Sequence, residues 1–218
     1  MFSNDYHEKL KEAGSMSSIK LLVVYYSSTG TNYKLAQAAA EGGREAGAVV
    51  KVARVPETAP ETAIASNPAW KAHLEATKDV PVVTHEDLEW ADAIIFSTPT
   101  RYGVMASQMK SFLDTTGGLW AQGKLVNKVA SVMSSAANPH GGQEATILSL
   151  YTALSHHGMI LVPPGYTDPV IFQAGGNPYG TSVTANEKGE VGEASLNAAK
   201  HQARRTVTVA RWLKQGQA

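Results

Sequence analysis

The sequence predicts a doubly wound α/β fold: one sheet of five parallel β-strands with helices on both faces. Three observations predict it. Short apolar runs rich in β-formers alternate with segments of helical apolar spacing, the pattern of parallel strands joined through helices. The runs are nearly free of polar interruptions, as strands covered on both sides are. The first, third and fourth runs end in loops of small, hydroxyl-bearing or glycine residues, and an open parallel sheet holds its ligand at those strand ends.

The first strand spans Ile19 to Tyr26, a run too short for a helix core. It leads into Ser27-Ser28-Thr29-Gly30-Thr31-Asn32, after which Leu35, Ala36, Ala39 and Ala40 recur at helical spacing toward Gly42-Gly43 and Gly47. Val49 to Val55 is the second strand. Thr84, followed by Glu86 and Asp87, reads as the capped start of a short helix. Ala93 to Ser97 is the third strand. Beyond Pro99 and Gly103 a helix carries Met109, Phe112 and Leu113 and is expected to close at Gly117-Gly118. Lys128 to Ser134 is the fourth strand, and the helix after it aligns Ile147, Leu148, Tyr151 and Leu154 on one face. Met159 to Val162 is the fifth strand. The last helix has Leu196, Ala199, Ala203, Val207 and Ala210 on one stripe, with Lys200, Arg204 and Arg211 left for the wet side.

Residues 1–17 read as an N-terminal extension and residues 18–218 as a single domain. Two segments exceed what the minimal fold needs, Pro56 to Val83 and Pro163 to Gly192. Ordered loops of that length are uncommon without a purpose, so both are expected to wall a site or to meet another subunit.

Composition narrows the chemistry. The 19 basic side chains balance 19 acidic ones, 43% of residues are apolar and 17% charged, which is the profile of a soluble globular protein with no dominant field. A nucleic-acid partner is therefore not expected. The absence of cysteine excludes disulfides, thiolate metal sites and cysteine nucleophiles, so no metal is expected and redox chemistry must come from a cofactor. No apolar run approaches the roughly 20 residues that cross a bilayer, and the first residues lack the basic start and apolar run of a secretory signal. Membrane insertion is not expected, and the cytoplasm is the expected compartment.

The loop Ser27 to Asn32 offers hydroxyls, backbone N–H groups and the positive end of a helix, with no Lys or Arg before Lys34. Such a loop suits a phosphate dianion held by hydrogen bonds and dipole. The alternative is a polar turn with Asn32 as helix N-cap. Neither GxxxxGK[ST] nor GxGxxG occurs. In the second loop Pro99 and Gly103 shape a rigid turn, and Tyr102 offers a flat face that could stack on a ring or simply pack. The third loop, Ser134 to Gln143, presents backbone donors and little bulk, which suits the edges of a planar heterocycle or a plain connection. Their joint occurrence at neighbouring strand ends favours a ligand.

The segment SSTGTN resembles the phosphate loop of flavodoxins. TPTRYG, FLDTTGGLWAQGKL, ASVMSS with GGQE, and HHGMILVPPGY resemble the WrbA family of flavodoxin-like NAD(P)H:quinone oxidoreductases, over about Ile19 to Leu213. The resemblance implies an FMN enzyme that takes hydride from NADH or NADPH and passes two electrons to a quinone, and it implies a homotetramer. By the same resemblance the FMN phosphate sits on Ser27, Ser28, Thr29, Gly30, Thr31 and Asn32. The isoalloxazine lies against Pro99, Thr100, Arg101, Tyr102 and Gly103 and the loop holding Ser135, Ala136, Asn138 and Gly141. Trp120 walls the space over the flavin where nicotinamide and quinone bind in turn. His156 either orients flavin or substrate or is a satisfied structural histidine; Arg101, read from its place in the loop, either stabilises negative charge there or is a solvated surface arginine. Two departures from the family pattern stand out: Thr29 replaces a frequent bulky aromatic, and AANPHGG is one residue longer than the usual Gly/Thr run. A flavodoxin-like one-electron carrier and a regulatory binding protein on the same scaffold are the alternative functions.

Overall fold

The computed structural model describes residues 18–185 and 189–216, so the expected extension at residues 1–17 lies outside the described residues. In chain order the elements are β1 (Lys20–Tyr25), α1 (Thr31–Glu45), β2 (Val49–Arg54), α2 (Glu61–Ala65), α3 (Pro68–Ala76), α4 (His85–Trp90), β3 (Ala93–Arg101) and β4 (Val104–Met105). There follow α5 (Ser107–Asp114), α6 (Gly117–Ala121), β5 (Val129–Ala136), α7 (Gln143–His156), β6 (Ile160–Leu161), α8 (Pro169–Gln173), β7 (Ser182–Thr184) and α9 (Glu193–Gly216).

The sheet runs β2-β1-β3-β5-β6, and every pairing along that path is parallel. This is the expected doubly wound sheet, with strand order reversing between β1 and β3. Alternation in β1 shows why both faces are apolar. Leu22 and Val24 join one core with Leu88, Met109, Phe112, Ile147 and Leu154, whereas Leu21, Val23 and Tyr25 join the other with Leu35, Ala39, Ala203 and Val207. On the second face α1 and α9 approach closely enough that a Cβ on Gly42 would lie 2.4 Å from the Lys200 carbonyl oxygen. The outward cations of α9 lace that contact: Lys200 pairs with Glu41 at 2.6 Å, Arg204 with Glu45 at 2.8 Å, and Arg211 donates to the Ala46 carbonyl at 2.6 Å.

Several elements differ from the sequence reading. The third strand continues past Ser97 to Arg101, with Pro99 opposite Ser135 and Thr100 opposite Met105 of antiparallel β4. Its pairing with β1 stops at Ser97, so Pro99 stands where the strand is paired on one side only and a missing N–H is tolerated. Gly117-Gly118 does not close the preceding helix but opens α6. The helix α5 ends earlier because Thr115 and Thr116 turn their hydroxyls back onto the Phe112 and Leu113 carbonyls at 2.7 and 2.6 Å. Leu148 is 44% exposed. It stands about 100° around α7 from Ile147, and Leu150 takes the buried place instead. Asn32 is not a helix N-cap; Gly30 holds that position at φ 97°, and Asn32 lies inside the first turn. The capping box at Thr84 and Asp87 is present as expected.

The two long segments contain structure of their own. Residues 56–83 fold into α2 and α3, the latter capped by Asn67. Residues 163–192 supply α8 and β7. The outer edge of β5 is thereby shared, with β6 on Val129 and Ala130 and β7 on Ser134 to Ala136, both parallel. Fully buried Gln202 closes the seam between them. Its amide donates to Ser131 Oγ and the Val132 carbonyl at 2.7 and 2.8 Å, and its oxygen accepts from the Thr181 N–H at 2.7 Å. Gly180 makes the approach possible, since a Cβ there would lie 2.1 Å from the Val132 oxygen.

Candidate active site

Three turns meet at the carboxyl ends of β1, β3 and β5 and enclose a cleft of about 570 Å³, a volume in the range of cofactor pockets. The first turn contributes Ser27, Ser28, Thr29, Thr31 and Asn32 to its lining. Gly30 reaches φ 97°, a conformation glycine adopts without penalty, and its N–H donates to Ser27 Oγ at 2.9 Å. The chain then enters the 15-residue α1, whose first N–H groups point outward with the positive end of the helix dipole. Thr31 Oγ1 is buried and has no hydrogen-bond partner among the described residues. A buried hydroxyl at a helix N-terminus is costly unless something accepts or donates there. Lys34 does not serve the cleft, because its ammonium is turned to the Gly189 carbonyl at 2.8 Å.

The second turn lines the cleft with Pro99, Thr100, Arg101 and Tyr102. Thr100 Oγ1 accepts from the Gly103 N–H at 3.2 Å and from Thr146 Oγ1 at 2.7 Å, which fixes the turn to α7. The Arg101 guanidinium bridges the Thr100 carbonyl at 2.9 Å and Ser28 Oγ at 3.4 Å, joining the second turn to the first. Tyr102 has φ 54°, a strained value for a bulky residue, and is 104% exposed.

The third turn supplies Ser135, Ala136, Ala137, Asn138 and Gly141, joined by Ala185 just after β7. The Asn138 carbonyl accepts from the Gly141 N–H at 3.1 Å and from Gln143 Nε2 at 3.0 Å, and its side chain accepts from the His140 N–H at 3.1 Å. The second and third turns touch through glycine, for a Cβ on Gly142 would lie 2.8 Å from Gly103 Cα.

Glu57 ties the 56–83 segment to Tyr26, just before the first turn, and to Gln108 of α5. Its carboxylate accepts from Tyr26 Oη at 3.0 Å, Trp70 Nε1 at 3.0 Å, Gln108 Nε2 at 2.7 Å and the Thr58 and Ala59 N–H groups at 2.9 Å each. Burial pushes the Glu57 carboxyl up, but these donors outweigh it and hold it below its ordinary value. Tyr26, which precedes the phosphate loop, is pushed well above the usual phenol range by burial and by that carboxylate.

The expected site residues thus fall into three groups. Those of the three loops line one cleft. Gly30 and Gly103, at φ 97° and 84°, shape its backbone without lining it. Trp120 and His156 do not line it: Trp120 is 59% exposed on α6, and His156 is exposed at the end of α7. Sequence reasoning missed Ala185 and Glu57. Ser182-Val183-Thr184 carries a strand signal too short to separate from a loop, and a lone Glu gives none.

A doubly wound sheet with a cleft at its switch point, a phosphate-type loop without lysine and a solvent-held aromatic ring defines a flavodoxin-like nucleotide-binding protein. Comparison with known proteins narrows the class. The model of the NADPH-dependent FMN reductase family matches residues 19–168. A Deinococcus radiodurans protein named NAD(P)H dehydrogenase (quinone) is 57% identical over 191 residues, covering 87% of this chain and 94% of that one. A Brucella abortus protein of the same name is 46% identical over 199 residues, covering 88% and 96%. The chain belongs to the NADPH-dependent FMN reductase family, alongside these relatives named NAD(P)H dehydrogenase (quinone). The solved flavodoxin, WrbA-like protein of Agrobacterium tumefaciens shares the fold, with a TM-score of 0.64 at 23% identity over 89% of this chain and 99% of that one. Among the described residues no helix is long and apolar enough to cross a membrane, and no group of three His, Asp or Glu could hold a metal.

Proposed function

We propose that the cleft holds the FMN of an NAD(P)H:quinone oxidoreductase, carried by one domain of residues 18–218. The activity is that of the curated relatives, matched over nearly their full length. One observation carries the placement: three turns converge on a single cleft, and the buried Thr31 hydroxyl in its wall is without a partner among the described residues. In this reading the turn Ser27 to Thr31 holds the phosphate, with the N–H groups of α1 and the Thr31 hydroxyl as donors, and Asn32 lies in the cleft floor behind it. Pro99 to Tyr102 and the small residues of the turn from Ser135 to Gly141 would flank the ring.

When bound, FMN accepts hydride from the reduced nicotinamide and delivers two electrons to the quinone. The protein's own residues bind, orient and shield. Arg101, bridged between Ser28 and Thr100 at the cleft rim, supplies positive charge where negative charge develops. Tyr102 supplies a flat face at the open side.

Trp120 and His156 serve the substrate side from a neighbouring copy. Both are exposed and neither lines the cleft of its own chain, which leaves them free to reach the cleft of an adjacent subunit in a homotetramer. The cytoplasm, where reduced nicotinamides are supplied, is the compartment for this activity.

Steady-state turnover tests the reading. Protein loaded with FMN should bleach with NADH or NADPH and recover its yellow colour on adding benzoquinone. Loaded protein that neither bleaches nor oxidises reduced nicotinamide would instead fit a one-electron carrier.

A further inference from the structure

At the bottom of the cleft one polar side chain is committed to the protein itself. Asn32, the second residue of α1, is 1% exposed. Its Nδ2 donates to Ser97 Oγ at 3.1 Å, its Oδ1 accepts from Ser135 Oγ, and its carbonyl accepts from Ser97 Oγ at 3.3 Å. Ser97 belongs to β3, where it stands opposite Tyr25 of β1, and Ser135 belongs to β5, where it stands opposite Pro99 of β3. A single amide therefore ties the start of α1 to the ends of the two strands from which the other turns depart. Neighbouring Thr31 behaves in the opposite way, with a buried hydroxyl that has no partner among the described residues.

We infer that Asn32 is a positioning residue for the whole cleft and not a ligand of the phosphate. Its two amide atoms are used on two different strands. A hydroxyl side chain at this position could reach one of the two serines, whereas the planar amide presents a donor and an acceptor in opposite directions and satisfies both. Removing the amide leaves the buried Ser135 hydroxyl without its partner and Ser97 with only the Asn32 carbonyl, and frees the three turns to shift relative to one another. Binding of the flavin ring, which needs all three turns, then depends on Asn32 as much as binding of the phosphate, which needs one. This inference rests on the flavin reading of the cleft.

The test compares two ligands that differ only in the phosphate. Full-length protein stripped of flavin is titrated with FMN and with riboflavin by fluorescence quenching. The wild type should bind FMN more tightly than riboflavin, and that ratio measures what the phosphate contributes. Thr31→Ala should lower the ratio while leaving riboflavin affinity unchanged. Asn32→Leu should weaken both flavins by about tenfold and keep the ratio within about twofold of wild type. Ser97→Ala should reproduce part of that loss, and adding Asn32→Leu to it should cost less than Asn32→Leu costs alone, because the two share the Ser97 contact.

Loss of FMN affinity with riboflavin binding intact in Asn32→Leu would make Asn32 a phosphate ligand and overturn the inference. No change in either affinity would overturn it as well. If Asn32→Leu does not fold, Ser97→Ala and Ser135→Ala decide the matter, and unchanged affinity for both flavins in both variants rejects the role. Folded wild-type protein that takes up neither flavin would reject the flavin reading itself, a separate failure.

Discussion

The floor of the cleft and its rim are built in opposite ways. The floor is finished within one chain: Asn32, Ser97 and Ser135 are buried and mutually hydrogen-bonded, and Glu57 gathers five donors, Tyr26 among them. The rim is open, with Tyr102 wholly in solvent at a strained φ and Trp120 exposed on a separate helix. Satisfied polar networks rigidify, while exposed aromatic groups await a surface. The difference teaches that the polar groups of the floor are satisfied within one chain, whereas the rim leaves its aromatic rings in solvent, where the proposed flavin and its substrates would meet them.

The largest effect should come from breaking the floor at its seam. Gln202→Leu removes the acceptor of the Thr181 N–H and the donor to Ser131 Oγ and the Val132 carbonyl in a fully buried place, and a buried N–H left unsatisfied costs about 1–3 kcal/mol. We expect a loss of about 2–4 kcal/mol in urea unfolding. FMN affinity should fall as well, because β7 leads directly to Ala185 in the cleft wall. Unaltered stability would mean the seam is held by something other than this amide.

A rim substitution should do the reverse. Tyr102→Gly relieves a positive φ and removes no buried contact, so stability should hold or rise by up to about 1 kcal/mol. Flavin affinity should nevertheless drop by up to about tenfold, the worth of an aromatic contact. Parallel loss of stability and affinity would erase the distinction between floor and rim. Trp120→Ala sharpens the same contrast further out: FMN affinity should stay at the wild-type value while the KM for quinone rises by about tenfold. Unchanged quinone kinetics would remove Trp120 from the substrate side.

The fold was legible in the sequence wherever apolar period and strand ends coincide. Leu21 to Tyr25 reads as a strand buried on both faces because it is one, and the three polar loops point to a cleft because a parallel sheet brings its carboxyl ends together. What escaped has physical reasons. Leu148 has the right chemistry but lies off the buried stripe, which a one-residue difference in helical phase decides. Gly117-Gly118 carries a stop signal that two threonine hydroxyls had already made unnecessary. Asn32 reads as a cap or a ligand from its loop, and only the distant serines at 97 and 135 show what its amide does. Trp120 and His156 are recognisable by motif alone, since nothing within their own chain brings them to the cleft.

The smallest effect concerns pH and lies away from the rim. His73, His157 and His201 are each held below the usual 6.5, mainly by burial, with Lys34 acting on His73, and His156 on His157. A histidine kept neutral in the folded state binds fewer protons than in the unfolded chain. Stability should therefore be complete above the ordinary value of 6.5 and decline as pH falls through and below it. His157→Gln should flatten part of the decline of Tm between about pH 7.5 and 5. A slope equal to wild type would show that His157, whose Nδ1 is buried without a partner among the described residues, carries none of it.

Isothermal calorimetry of flavin-free, folded protein with FMN addresses the central claim most directly. The account predicts saturable binding of one FMN per chain, with the yellow, quenched flavin of a protein-bound ring. Folded protein that shows no heat and leaves the flavin fully fluorescent would contradict it.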